Sequence, residues 1–190
     1  RKIINRDPNY IAKMVAIGID YAFKKHLEFE MSTIFFIFKL LNSKDTFEAY
    51  HSNLLMNRIR HNDGKMLLSD LTFTEEIRSY CGDYYTKRFD LLISDAEFSS
   101  KCFNTFCNEF YVPDMFNVLI LNSKLFTTFS TNLREQNETN KIPADVRIIS
   151  AQYFGFLRDN FPNRKYQWCL QMSEFELKCT NNNHSLDSIS

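Results

Sequence analysis

The sequence predicts an α+β chain, mostly helical, in which an N-terminal helical bundle is followed by a small α/β module built on a few-stranded sheet. Three observations carry this expectation. Glycine and proline are scarce, four of each in 190 residues, and a chain poor in both punctuators runs readily in long helices. Apolar residues recur at intervals of three and four from Tyr10 to Phe110, the period of one helix face. Beyond Pro113 that period is lost: Phe116-Asn117-Val118-Leu119-Ile120-Leu121 is a short apolar run bounded by Pro113-Asp114 and Asn122-Ser123, the profile of a largely buried strand. The expected divisions are a bundle over 1–112, an α/β module over 113–180 and a polar tail over 181–190.

Asp7 and Pro8 fit a helix opening, since proline is tolerated in the first turn, and Tyr10, Ile11, Met14, Val15, Gly18, Tyr21 and Ala22 make an apolar stripe that ends near Lys25. Leu27, Met31, Ile34, Phe38 and Leu41 then step by four, three, four and three, with Phe35, Phe36, Ile37 and Leu40 on other sides. A helix apolar on so many sides is expected at the centre of a bundle. The third helix opens at Ser43, a good N-cap, with Asp45 and Glu48 near its positive end and Arg58 and Arg60 near its negative end, where such arginines are usually solvated. Phe47, Tyr50, His51, Leu54, Leu55 and Ile59 line one of its faces.

His61 to Lys65 is turn chemistry, with Asp63-Gly64 tolerant of positive φ. Leu71, Phe73, Ile77 and Tyr80 continue as a helix in which Thr72 and Glu75 suit a capping box and Gly82 the C-cap. Two more helical faces follow, Tyr85, Phe89, Leu92 and Ile93 on one helix and Phe98, Cys102, Phe106 and Phe110 on another. After the strand, Asn132 to Lys141 is too polar to bury and is expected as an exposed loop. Ile142-Pro143-Ala144-Asp145 opens a last helix with Val146, Ile149, Tyr153, Phe156 and Leu157 on its apolar face, stopped by Asn160 to Asn163. Tyr166 to Leu170 and Phe175 to Cys179 are then expected to pair as a hairpin.

Charge and motif content narrow the function. The 23 basic and 23 acidic residues cancel, removing the field expected of a nucleic-acid binder. Five cysteines without C-x-x-C spacing indicate neither a disulfide framework nor a self-contained zinc site and read as reduced core thiols. The most apolar run, Ile34 to Leu41, is broken by Lys39 and falls far short of the ~20 residues of a membrane span. A glycine-rich phosphate loop, H-E-x-x-H and a nucleophile elbow are all missing. His51 and Cys81 are the residues to weigh as catalysts, and both read as packed side chains without a definable base partner. The expectation is a non-enzyme without catalytic residues, metal, cofactor, nucleic-acid or membrane partner, in the cytoplasm or nucleus. The first residue is Arg rather than Met, which suggests a processed or excised piece.

Three segments, in order, resemble the cullin family. Lys44, Asp45, Phe47, Tyr50, Leu55, Arg58 and Ile59 match its lysine-aspartate helix; Cys81-Gly82 with Tyr85-Thr86-Lys87 resembles its cysteine-glycine, tyrosine-threonine segment; and Arg164-Lys165-Tyr166-Gln167-Trp168 with Ser173, Glu176 and Leu177 resembles its arginine-lysine-leucine-x-tryptophan hairpin, with Tyr166 in place of the leucine. The three segments run from Lys44 to Leu177, and the resemblance is taken to cover roughly Asp7 to Thr180. The resemblance departs at residues 61–65, where the family has a serine-alanine run and an acidic patch, and at Phe126-Thr127, where it commonly has tryptophan-proline.

What the resemblance implies is a non-catalytic scaffold of a ubiquitin ligase, in which a four-helix bundle is joined to an α/β domain whose sheet accepts a strand from a RING-type zinc subunit of the Rbx/Roc kind. The candidate acceptor residues are Val118, Leu119, Ile120, Leu121, Tyr166, Trp168, Leu170, Phe175 and Leu177. Cullin-exchange or inhibitor proteins are further partners of such a scaffold. The family's winged-helix elements, which hold the lysine that receives a ubiquitin-like modifier, and its N-terminal helical repeats have no counterpart within these 190 residues. The alternatives are a regulatory decoy that binds RING subunits, or a helical interaction protein with no ligase role.

Overall fold

The computed structural model describes residues 7–27, 30–62, 67–113, 116–123 and 143–169. Six helices are found among them, α1 (Pro8–Lys24), α2 (Met31–Leu40), α3 (Lys44–His61), α4 (Leu68–Cys81), α5 (Asp83–Glu109) and α6 (Ala144–Asn160). The Asp7 carboxylate caps α1 by accepting the Tyr10 N–H at 3.1 Å, an N-cap followed by proline as the sequence suggests. Gly82 closes α4 at φ 85°, a left-handed conformation that glycine adopts without steric penalty. The same residue caps the start of α5. The predicted capping box does not form, because α4 begins at Leu68 and Thr72 lies inside it, its hydroxyl donating to the Leu68 carbonyl at 3.0 Å.

Two apolar clusters build the core, and α5 runs through both. The first joins α1 to α4 with Phe89, Leu92 and Ala96 of α5; the second joins Cys102 and Phe106 of α5 to Ile149, Tyr153, Phe156 and Leu157 of α6. The two helices expected between Tyr85 and Phe110 are therefore one helix of 27 residues, about 40 Å long at 1.5 Å per residue. Its buried positions Phe89, Leu92, Ala96, Ser99, Cys102 and Phe106 keep the three-four rhythm without a break, and no glycine or proline interrupts it. Phe38 is the hub of the first cluster: the rings of Phe35, Phe47, Phe73, Tyr80 and Tyr85 have centroids 5.1–6.4 Å from its own. Only one side of α2 is central: Ile34, Phe35 and Phe38 are buried, while Phe36 and Ile37 are exposed.

The buried stripe of α1 also differs from the one the sequence suggests. Ala12, Ala16, Ile19, Ala22 and Phe23 face the core, chiefly against α3, while Tyr10, Met14 and Tyr21 are exposed. Small alanines let the two helix axes approach closely, which large tyrosines would prevent. Arg58, expected in solvent, is 3% exposed. Its guanidinium bonds Asp70 of α4, with Nε at 3.1 Å and Nη2 at 2.6 Å from Oδ1, and reaches Asp20 of α1 through Nη1. Three helices are pinned by one cation. Lys24 completes the charge balance at 2.9 Å from Asp20.

The predicted sheet is not found among the described residues. Among the described residues there is no strand, and the chain is helical with extended connections. Residues 116–122 lack regular structure, and their hydrogen-bonding partner is a helix, not a second extended chain. A ladder requires another backbone about 4.8 Å away; here side chains of α5 take that place. Tyr166 to Cys169 is also irregular, and Leu170, the Phe175–Cys179 run and the Asn132–Lys141 loop lie outside the described residues. None of the four described cysteines is in a disulfide; Cys102 alone among them is buried, Cys81 and Cys169 are half-buried, and Cys107 is exposed, so among these four "core thiol" fits Cys102 only.

Candidate functional site

The segment 116–122 lies along α5 and is held by two of its polar side chains. Ile120 N–H donates to Ser99 Oγ at 2.7 Å, and the Ser99 hydroxyl stands 2.9 Å from the Ile120 carbonyl and 2.7 Å from that of Asp95. With a single proton, it is shared between those two acceptors. One turn earlier, the Asp95 carboxylate accepts the Asn122 N–H at 2.7 Å. Burial pushes the Asp95 carboxyl up, while the Asn122 N–H and the Arg164 guanidinium pull it down. Val118 N–H is satisfied by the Asn117 side chain at 2.8 Å.

Replacing Ser99 by alanine leaves the Ile120 N–H without its acceptor in a side-chain site that is closed to solvent. The expected loss is about 1–3 kcal/mol, read by denaturant unfolding, with faster proteolysis within 116–122.

An extended backbone turns successive side chains to opposite sides, and this segment uses both. Val118 and Ile120 pack on the second cluster, Leu119 and Leu121 on the first. All four are half-buried, short of the nearly complete burial expected of a core strand. Tyr166 and Trp168 join the second cluster, with the Tyr166 ring 6.5 Å from that of Phe154, and Gln167 between them is exposed. Arg164 stacks 4.1 Å above the Phe98 ring, which itself meets Phe161 edge-on at 5.1 Å. Six of the nine predicted site residues are thus described: Val118, Ile120, Tyr166 and Trp168 share one cluster, Leu119 and Leu121 face the other. Leu170, Phe175 and Leu177 lie outside the described residues.

Beneath this face the hydroxyls of Tyr153 and Tyr166 are buried without hydrogen-bond partners. Burial raises both, with Arg164 opposing the shift at Tyr166. Sequence reasoning missed Ser99 and Asp95. Each occupies an interior position of a long helix, where serine and aspartate carry no motif, and only their spacing of four marks them as one face.

The two catalytic candidates behave as packed residues. Burial pushes the Cys81 thiol up, with Lys44 opposing, so the nucleophilic thiolate is disfavoured. His51 is fully buried, stacked on Phe47 at 5.2 Å and met edge-on by Phe73 and Phe89, and neither ring nitrogen has a hydrogen-bond partner. Burial first, and the Arg58 guanidinium second, hold its imidazole well below the usual 6.5.

The unfolded chain therefore takes up a proton at His51 below about pH 6.5 while the folded chain stays neutral there. Stability contributed by this group falls as the pH drops through that value, by about 1.4 kcal/mol per pH unit until the folded imidazole titrates. His51→Phe is expected to remove this acid sensitivity, raising the melting temperature at pH 5 more than at pH 7 in parallel thermal melts.

Among the described residues no group of histidine, cysteine, aspartate and glutamate is arranged to hold a metal ion, and no helix is long and apolar enough to cross a membrane. No family profile matches the chain. Individual cullins do: Cullin-1 of Dictyostelium discoideum is 24% identical over 93% of the chain, Cullin-2 of Caenorhabditis elegans 21% over 81%, and human Cullin-4A 23% over 80%. The chain is a divergent cullin-like protein. It spans about a quarter or less of the length of these relatives, 24%, 22% and 18% in the same order.

In this cullin-like chain each of the three segments that carry the resemblance has a structural task. Arg58 of the first is the buried cation between α1 and α4. Gly82 of the second is the left-handed joint of α4 and α5, and Tyr85 donates to the Lys44 carbonyl at 2.6 Å, tying the second segment to the first. Tyr166 and Trp168 of the third pack on the cluster between α5 and α6.

Proposed function

We propose that this cullin-like chain acts as a non-catalytic scaffold in a ubiquitin ligase, in the cytoplasm or nucleus, and binds a RING-type zinc subunit through the face made by residues 116–122 and 164–169. The reading is supported by the likeness to cullins over most of the chain together with the gathering of Val118, Ile120, Tyr166 and Trp168 on one cluster. These side chains are half-buried, so each keeps surface for a partner while its other side is fixed by α5 and α6. Aromatic anchors held in this way dominate binding energy at protein interfaces.

Co-purification of the 190-residue chain with a RING-type zinc subunit tests the proposal. Binding is expected, and Trp168→Ala combined with Tyr166→Ala is expected to weaken it at least tenfold while far-ultraviolet circular dichroism keeps its helical signal. Failure of the unmutated chain to bind defeats the reading. A ubiquitin-chain assay on the complex then separates a scaffold, which supports chain formation, from a decoy, which binds and does not.

A further inference from the structure

A groove opens between α4 and α5, away from the face of residues 116–122. It has a volume of about 430 Å³, toward the small end for a binding cleft. Each helix lines it with residues at positions i, i+3, i+4 and i+7, from Leu71 to Arg78 on α4 and from Asp90 to Glu97 on α5. At about 100° per residue each set covers a sector of roughly 100°, and the α5 set lies roughly 160° around that helix from Asp95 and Ser99. Among the described residues, all that line the groove belong to these two helices.

The groove has an apolar floor and an acidic rim. Leu71 and Ile93 are half-buried, while Glu75 on one wall and Glu97 on the other are exposed. Arg78, the cation among the described lining residues, is already engaged: it donates through Nη2 to Asp90, whose other carboxylate oxygen accepts the Thr86 hydroxyl at 2.9 Å. Glu75 and Glu97 form no ion pair or hydrogen bond among the described residues, and Lys101, one turn beyond Glu97, makes none with it. Nor are the carboxylates gathered to hold a metal ion.

We propose that this groove docks a basic segment of a partner protein, with two lysine or arginine side chains that lie on Leu71 and Ile93 and reach Glu75 and Glu97. The chemistry of the walls selects that occupant. Long basic side chains rest their methylene stems on apolar surface and extend the charge beyond it, which matches a floor of Leu71 and Ile93 under a rim of two unpaired carboxylates. An acidic segment would meet that rim with repulsion, and a purely apolar one would bury both carboxylates without partners.

Spacing narrows the segment further. Arg78 and Asp90 meet at the end of the groove nearest Gly82, and Glu75 and Glu97 follow at three and seven residues farther along their own helices. The two carboxylate positions are thus about 6 Å apart along the groove. Alternate residues of an extended chain, about 6.6 Å apart and turned to the same side, present two basic groups at that step.

Nuclear magnetic resonance of the isotopically labelled 190-residue chain, titrated with a hexa-arginine peptide in about 50 mM salt where exposed charges are little screened, tests the proposal. Saturable amide shifts are expected within 71–78 and 90–97, and none with hexa-glutamate. Glu75→Gln combined with Glu97→Gln is expected to weaken binding about tenfold or more with unchanged circular dichroism. Glu109→Gln combined with Asp159→Asn removes the same charge from exposed positions elsewhere and is expected to leave binding as it was. Absence of shifts, shifts centred outside the groove, or an equal loss from the charge-matched control overturns the proposal.

Discussion

Arg58→Met is expected to destabilise the chain by about 3–5 kcal/mol, because the substitution strands two carboxylates that the fold has taken out of water. Arg58 supplies the Nε and Nη2 donors to Asp70 and the Nη1 donor to Asp20, and its own side chain is only 2% exposed. Burial already pushes the Asp70 carboxyl up, and Arg58 is what pulls it back. Without the guanidinium, Asp70 takes a proton more readily in the folded state than in the unfolded one. The sign follows from linkage: a carboxyl raised by folding favours the folded state as the pH falls, so the deficit of the variant relative to the parent shrinks in acid.

Denaturant unfolding at pH 7 and pH 5 checks both the size and the trend. Converting the whole group to apolar residues, with Arg58→Met, Asp20→Leu and Asp70→Leu together, is expected to recover most of the loss, since no buried charge is then left unpaired. A deficit equal to that of Arg58→Met alone in the triple variant would assign the effect to packing, not charge.

Phe106→Ala should remove about 3–5 kcal/mol and do so locally. Phe106 is fully buried; its ring stacks on Phe110 at 4.7 Å and is met edge-on by Tyr153 at 4.9 Å and Phe156 at 5.5 Å. These contacts hold α6 to the far half of α5. The first cluster shares none of them, so hydrogen exchange is expected to accelerate in α6 and in residues 116–122 while α1, α3 and α4 keep their protection. The same variant should weaken capture of the RING-type subunit, because the residues proposed to contact it rest on this cluster. Uniform acceleration across all six helices would show that the two clusters unfold as one.

Much of the helical part was legible in the sequence. The starts of α1 and α6, the glycine joint at Gly82 and the buried face of α6 follow from proline placement, left-handed backbone freedom and three-four spacing, all local properties. The cullin likeness was also visible in short ordered segments. The sheet was misread for a physical reason: an apolar run with alternating neighbours specifies extended backbone, but not what that backbone bonds to. Here Ile120 found Ser99 and Asn122 found Asp95, both on α5. Six of the nine candidate residues pack as side chains on the two core clusters, not along a strand edge.

Periodicity in this sequence pointed to the helices α1 to α5, because each helix needs only its own spacing, caps and lack of breakers. It did not settle which face of α1 turns inward: the tyrosine and methionine stripe is the more hydrophobic choice by size, yet the face with Ala12, Ala16, Ile19, Ala22 and Phe23 is the one buried, chiefly against α3. Nor did it place Arg58, whose ordinary position at a helix end is solvent. Only the meeting of three helices puts Asp20 and Asp70 around it, since charges distant in sequence become partners when packing brings them within reach.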